Sequence, residues 1–282
     1  MTMKTMKWML ALAAAVVAAV ACGPKKEAPK VLVLYYSQTG NTKVVADEIA
    51  TRLGADIEAI EAAVPYDGTY QETIARCLQE REAGTVPECK PVAADITAYD
   101  YIFLGYPVWF GTFAPPVAGW LNGVDLKSVK IVPFCTFGSG GLDSSIKDLE
   151  EKHPEAVVLP GYGVRAARLA AVPAEVDHFL KEHGFLEGEF EKLADFPEQQ
   201  PATEEEAAIF FEAVKDYPMM GGVQASTVAS RKIPGGMEYL FTAVPQPREG
   251  APVDPKMPPM REMKVYVTAL EGEAPVFTQV VR

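Results

Sequence analysis

A chain of 282 residues is long enough for one large domain or two smaller ones, and its 49% of apolar residues can form a substantial core. Its formal net charge is −12, from 38 acidic and 26 basic residues. This acidic balance argues against nucleic acid as a partner and permits association with a basic protein.

The first residues predict a targeting segment rather than part of the fold. Two lysines precede an uncharged apolar run at residues 8–21, which is long enough for a signal sequence and too short for a comfortable membrane span. Small residues then stand directly before Cys22, a pattern that resembles the lipobox of bacterial lipoproteins. The resemblance implies a signal peptide at residues 1–21, lipid on Cys22, and an extracytoplasmic, membrane-anchored lipoprotein. An ordinary signal peptide and an uncleaved anchor are the alternatives.

A short tether is expected at residues 22–29, which contain two prolines and two lysines and are followed by a third lysine at position 30. The clearest folding pattern follows it. Residues 31–36 are continuously apolar, as in a strand buried on both faces, and residues 37–42 are small or polar with one glycine. A helix with an apolar face is expected next. The first N–H groups of a helix lack intrahelical partners and its dipole favours negative charge, so this turn is suited to a phosphate.

The turn resembles the FMN-phosphate loop of flavodoxins, whose pattern is Thr/Ser-x-Thr-Gly-x-Thr. The residues of the turn are Ser37, Gln38, Thr39, Gly40, Asn41 and Thr42, and the first, third, fourth and sixth of them match. It is neither a Walker loop nor a dinucleotide fingerprint, because it lacks the Gly-Lys-Ser/Thr ending and has a single glycine. The resemblance implies FMN, bound mainly by neutral donors. The alternative is a turn that is merely rich in serine and threonine.

Strand and helix patterns then alternate along the chain. Further strands are predicted at residues 55–62, 99–106, 129–135 and 156–159, with helices after each. This alternation predicts an α/β fold, a five-stranded parallel sheet with helices on both faces. The flavodoxin strand order, 2-1-3-4-5, is the natural choice, and it places the ligand at the carboxyl ends of the strands near the switch point.

Two more loops rich in glycine and aromatic residues follow strands 3 and 4, so three loops converge on one edge of the predicted sheet. The flavodoxin-like resemblance covers residues 30–186 and implies cofactor contacts from both loops. These contacts are Tyr106, Pro107, Val108, Trp109, Phe110, Gly111, Thr136, Phe137, Gly138, Ser139 and Gly140. The resemblance gives Trp109 the flavin-facing role. Core packing is the alternative for Trp109, Phe110 and Phe137. The pattern predicts neither a catalytic side chain nor a metal site.

The remaining chain predicts an acidic linker at residues 187–201 and a small α+β domain at residues 202–282. Thr203 followed by three glutamates indicates a helix start. Strands are expected near residues 222–230, 237–244, 262–270 and 275–281. This arrangement resembles the cystatin fold. Residues 232–236 stand where cystatins carry Gln-x-Val-x-Gly, but the glutamine is absent, so protease inhibition does not carry over.

Three functions remain open at this point. The first is an FMN-binding electron carrier of flavodoxin type, with a redox protein, basic in character, as its partner. The second is an FMN-dependent quinone or nitro-compound reductase, and the third is a non-catalytic binding protein on the same scaffold. No second nucleotide motif for NAD(P)H is visible, which favours the carrier over an enzyme with its own substrate.

Cys77 and Cys89 flank the second predicted helix, twelve residues apart. Disulfides persist outside the cytoplasm, so the two residues can form a bridge there. Two free thiols are the alternative, since sequence does not set the distance between the Cα atoms.

Overall fold

The computed structural model describes residues 28–127, 129–138, 141–217, 220–245 and 262–281. The predicted signal peptide and Cys22 lie outside the described residues, as do Ser139 and Gly140 of the third loop. Among the helices within these ranges, none has the length and apolar character needed to cross a membrane.

A parallel sheet is built from the apolar runs of the sequence. Its strands are β1 (Val31–Tyr35), β2 (Asp56–Ala59), β3 (Tyr101–Trp109), β5 (Lys130–Phe137), β6 (Val157–Val158) and β7 (Tyr162–Arg165), and a short strand β4 (Thr112–Phe113) folds back on β3. Every residue of β1 is buried, as expected for a central strand covered on both faces. The order β2-β1-β3-β5-β6, with β7 also on β5, confirms the predicted flavodoxin-like topology.

Helices cover both faces of this sheet. They are α1 (Asn41–Leu53), α2 (Tyr70–Ala83), α3 (Pro115–Asn122), α4 (Leu142–Lys152) and α5 (Val172–Glu182), with 3₁₀ turns at Ile96–Ala98 and Ala166–Ala171. Alternate residues of β1 enter two separate cores. Val33 packs with residues of α1 and α5, whereas Leu34 packs with residues of α3 and α4. The alternation follows from the period-2 geometry of a strand.

The fifth strand differs from the prediction of one segment at residues 156–159. β6 pairs with the start of β5, and β7 pairs with its end. Pro160 and Gly161 separate the two strands; proline lacks the N–H that a ladder requires. A Cβ on Gly161 would lie 2.6 Å from the carbonyl oxygen of Pro133, so only glycine fits the crossing. The sequence pattern did not indicate β7, which continues the fifth strand of the sheet to its carboxyl edge.

A second, antiparallel sheet forms from the C-terminal residues. Its order is β12 (Val276–Val281), β11 (Met263–Leu270), β10 (Gly236–Pro245), β9 (Val223–Ile233) and β8 (Gln200–Pro201). Helix α6 (Glu204–Val214) packs on one face and begins at Thr203 with a capping box to Glu206. The predicted helix and four strands are confirmed, and the chain has the small α+β region expected beside the parallel sheet.

The predicted linker contributes to this second sheet. Its last two residues form β8, and Gln199 accepts hydrogen bonds from Thr242 (2.6 Å) and Lys264 (2.6 Å). The ring of Phe196 lies 6.0 Å from that of Tyr266. These contacts come from residues distant in sequence, which is why composition alone indicated a loose connection.

The predicted disulfide is wrong. Cys77 and Cys89 are free thiols in the structure, and so is Cys135. Cys77 is fully buried beside Ala62 and Tyr66, whereas the Cys89 thiol donates to the carbonyl oxygen of Pro116 at 3.1 Å. Each sulfur therefore packs in its own environment, and burial raises the pKa of both thiols.

Candidate functional site

The first loop of the site connects β1 to α1 at the carboxyl edge of the parallel sheet. Gly40 is the residue before the helix and has φ = +91°, a conformation that glycine adopts without penalty. Gly40 has no side chain to cap this helix end, and the first turn of the helix contains no acidic residue. The positive end of the α1 dipole is therefore left for an external anion.

Unused donors surround that position. Within the described chain, the backbone N–H groups of residues 38–42 donate no hydrogen bond to protein atoms, while Lys43 N–H donates to Ser37 Oγ at 3.3 Å. Thr39 and Gly40 are exposed. The neighbouring charge is already neutralised, because Lys43 Nζ pairs with Asp47 at 2.6 Å. The donor set is thus neutral N–H and O–H groups, which fit a phosphate monoester.

Thr42 has a different role from its neighbours. It is 1% exposed, and its Oγ1 lies 2.9 Å from Oγ1 of Thr136, also buried, at the end of β5. This pair ties the first loop to the third. Thr42 and Thr136 were both predicted to contact the cofactor. In the structure their hydroxyl groups form a hydrogen bond with each other.

Three aromatic rings stand beside the first loop. Tyr36, Tyr66 and Trp109 meet edge to face, with ring centroids 5.8 Å apart for Tyr36–Trp109 and 5.6 Å apart for Tyr66–Trp109. Burial raises the pKa of Tyr36 to about 12. Burial, followed by a 2.6 Å hydrogen bond to Glu80, also raises the pKa of Tyr66. Both phenols are therefore neutral at physiological pH, and their packing fixes the indole of Trp109.

A cleft of about 410 Å³ opens between the first loop and the segment after β2. Tyr36, Ser37, Gly40 and Tyr66 are among the residues that line it. Gln38 braces this arrangement: its Nε2 donates to the carbonyl oxygen of Tyr66 at 2.7 Å and to Thr73 Oγ1 at 3.0 Å. The side chain of Gln38 is thus engaged with protein atoms, and its backbone N–H remains the group available to a ligand.

The second loop is shorter than predicted, because the strand before it extends further. Strand β3 continues through Trp109, and only Phe110 (φ = +52°) and Gly111 (φ = +82°) turn the chain into β4. This is a two-residue hairpin in which Trp109 pairs with Thr112. Phe110 is 49% exposed at the tip. Trp109 therefore lies at the end of a strand rather than in a loop.

The remaining predicted contacts divide into two groups. Tyr106 was predicted to contact the cofactor; its ring is fully buried in the core, and its hydroxyl lies 3.1 Å from Ser145 Oγ. Pro107, Val108 and Phe137 are half-buried at the sheet edge, and Gly138 is exposed beyond it. Asn41, at the first position of α1, is also half-buried beside the loop.

Tyr36, Tyr66 and Ser144 are part of the site and were missed in the sequence. Tyr66 stands in a Pro-Tyr-Asp-Gly stretch, an aromatic residue set in turn-forming neighbours like Trp109, and that signal could have identified it. Tyr36 reads as the end of the apolar strand. Ser144 Oγ donates to the carbonyl oxygen of Gly111 at 2.6 Å. Nothing in the local sequence indicates that contact.

Comparison with known proteins agrees with this geometry. A family model described as flavodoxin matches residues 30–171, half of the chain. An NAD(P)H dehydrogenase (quinone) from Gluconacetobacter diazotrophicus is 34% identical over 113 residues, which are 36% of this chain and 53% of that protein. The chain thus spans about half the length of this relative.

Solved structures are similar over about half of the chain. A protein from Bacteroides eggerthii is 26% identical, with a TM-score of 0.45, and the match covers 53% of this chain and 98% of that chain. A flavoprotein from Lactobacillus acidophilus, determined in complex with FMN, is 24% identical, with a TM-score of 0.44, and covers 51% of this chain and 97% of that chain. The family assignment itself rests on the family model. The chain belongs to the flavodoxin family.

Proposed function

We propose that this protein is an electron carrier that binds FMN at the carboxyl edge of its parallel sheet and exchanges electrons with another redox protein. The observation that carries the proposal is the first loop, with its unused backbone donors at the uncapped start of α1. The bound flavin would supply the electron chemistry; the protein binds, orients and electrostatically tunes it.

The residues present divide these tasks. The N–H groups of residues 38–42 and the hydroxyl groups of Ser37 and Thr39 would hold the phosphate. Trp109, fixed by Tyr36 and Tyr66, would provide a flat apolar neighbour for the ring. No uncompensated cation stands in the first turn of α1, because Lys43 is paired with Asp47. The negative charge that the flavin ring gains on full reduction would therefore be poorly compensated, which would lower the reduction potential of that step.

The charge of the whole chain supports a protein partner of opposite sign. A net charge of −12 creates a long-range field that attracts basic surfaces and repels acidic ones. A basic redox protein is therefore the partner that we propose. Its association rate should fall as ionic strength rises, because salt screens this attraction.

The visible spectrum of the purified full-length protein is the test of this function. We expect the absorption bands of bound flavin, release of FMN on denaturation, and rapid reoxidation of the reduced protein by a one-electron acceptor. A colourless protein that does not take up added FMN would contradict the proposal and leave the non-catalytic binding protein.

A quinone reductase is the second candidate, favoured by the similarity to the NAD(P)H dehydrogenase (quinone) of Gluconacetobacter diazotrophicus. Steady-state assays with NADPH and a soluble quinone separate the two functions. A carrier should show negligible sustained turnover although its flavin can be reduced chemically. Sustained turnover would replace the carrier by the reductase.

We further propose that the protein is a lipoprotein attached outside the cytoplasm through Cys22. Two acyl chains give stable attachment, at about 0.8 kcal/mol for each buried CH₂ group. Cys22→Ser is expected to abolish metabolic labelling with a fatty acid. Cys89→Ser removes a free thiol within the folded part of the chain and should leave labelling unchanged. Continued labelling of Cys22→Ser protein would contradict lipidation at Cys22. Wild-type protein that fractionates with membranes without being labelled would instead indicate an uncleaved anchor at residues 8–21.

A further inference from the structure

The hairpin that carries Trp109 has an unfavourable residue at its tip. Two-residue turns with positive φ at both positions favour Asn-Gly or Gly-Gly, because glycine has no Cβ and asparagine tolerates positive φ better than other residues with a Cβ. Here the first position is Phe110, with φ = +52°. Its ring is 49% exposed, and the Arg81 guanidinium lies 5.3 Å from the ring centroid, so burial and this contact offset only part of the strain. Contacts from elsewhere in the fold must hold the turn.

Helix α4 supplies those contacts from two positions one turn apart. Ser144 Oγ donates to the carbonyl oxygen of Gly111 at 2.6 Å, and it also lies 3.1 Å from the carbonyl oxygen of Gly141. Asp148 accepts a hydrogen bond from the hydroxyl of Thr112. Residues at i and i+4 share one face of a helix, so both groups reach consecutive residues of the hairpin.

The second contact is itself supported by charge. Asp148 Oδ2 accepts from Lys152 Nζ at 2.9 Å, and the Lys152 ammonium lies 5.3 Å from the ring centroid of Phe113 on β4. Burial acts to raise the pKa of Asp148, but the hydrogen bonds from Lys152 and Thr112 outweigh it, and the pKa lies below its ordinary value. Asp148 is therefore a charged acceptor at neutral pH.

The same helix begins directly after the third loop. Gly141, the residue before α4, approaches β3 so closely that a Cβ there would lie 2.5 Å from Val108 Cγ1. The second and third loops, which flank the proposed ring site, are therefore joined through the start of α4. Movement of the hairpin would have to break these contacts first.

We propose that Ser144 and Asp148 are positioning residues that hold the Trp109 hairpin in its FMN-binding conformation before FMN arrives. The inference rests on the proposed function. A site that is already in the bound conformation loses less conformational freedom on binding, so affinity rises without a new contact to the ligand. Neither side chain needs to touch FMN for this effect.

Ser144→Ala in the full-length protein tests the proposal, with Ser144→Thr as the variant that retains the hydroxyl. In the flavin-free protein, amide hydrogen exchange at residues 110–112 should become faster with alanine. The dissociation constant for FMN should rise about fivefold, the effect of one neutral hydrogen bond. Threonine should restore both values to within about twofold of wild type, since it keeps the donor.

Ser145→Ala is the matched control, because this neighbouring hydroxyl bonds to Tyr106 in the core instead of the hairpin. It should lower the free energy of unfolding without changing exchange at residues 110–112. Wild-type exchange and unchanged FMN affinity in Ser144→Ala would overturn the positioning role. Failure of wild-type protein to bind FMN would overturn the proposed function, while exchange in the flavin-free protein would still decide whether Ser144 holds the hairpin.

Discussion

Thr39→Ala is expected to raise the dissociation constant for FMN by roughly 10- to 150-fold. The reason is the loss of one hydroxyl donor to a charged phosphate, an interaction that contributes about 1.5–3 kcal/mol. Thr39 is exposed in the first loop, so the substitution leaves no cavity. Affinity for riboflavin, which lacks the phosphate, should change little. Fluorescence titration of the flavin-free protein with both ligands measures the difference.

Thr51→Ala is the control for this substitution, because Thr51 is exposed near the opposite end of the same helix. It should leave FMN affinity unchanged. An equal loss of FMN and riboflavin affinity in Thr39→Ala would show that the loop does not bind the phosphate group of FMN. Thr42→Ala is a poorer test: it also leaves the buried hydroxyl of Thr136 without its partner, so stability and affinity would fall together.

The sequence predicts the first loop well because its signals are local. A buried strand, a turn with one glycine and an amphipathic helix occupy 23 consecutive residues, and each element can be recognised from its own residues. The right-handed rule for parallel crossovers then leaves few topologies, and the resemblance to flavodoxins selects the strand order 2-1-3-4-5 among them. The position of the site could therefore be predicted before any distance was known.

The features that were missed depend on contacts between distant residues. Phe110 disfavours the hairpin turn that it occupies, and Ser144, 34 positions further along, holds that turn. Tyr106 continues an apolar strand into a predicted loop, and only the packing of α4 shows that its ring is buried. The separation of the Cys77 and Cys89 thiols is likewise set by tertiary packing. Local pattern fixes neither side-chain direction nor long-range pairing.

Gly105→Ala, the second large effect, is expected to lower the free energy of unfolding by about 1–3 kcal/mol, the usual effect of overpacking a core. Gly105 pairs with Phe134 across the central strands, and a Cβ at Gly105 would lie 2.2 Å from Cζ of that fully buried ring. The reduced flexibility of the unfolded chain offsets only about 0.4–1 kcal/mol. Because the Gly105 carbonyl accepts the Tyr36 N–H at 2.9 Å, FMN affinity should fall as well.

Urea unfolding of three variants tests this steric explanation. Gly123→Ala is the control: its Cβ would meet atoms only at 3.5 Å and beyond, so stability should stay within about 0.5 kcal/mol of wild type. Phe134→Leu shortens the opposing side chain and leaves a void that an alanine at position 105 can partly fill. The double variant Gly105→Ala, Phe134→Leu should therefore be more stable than the sum of the two single effects predicts. Strict additivity would mean that the ring and the glycine do not oppose each other, and that the closeness of β3 and β5 has another cause.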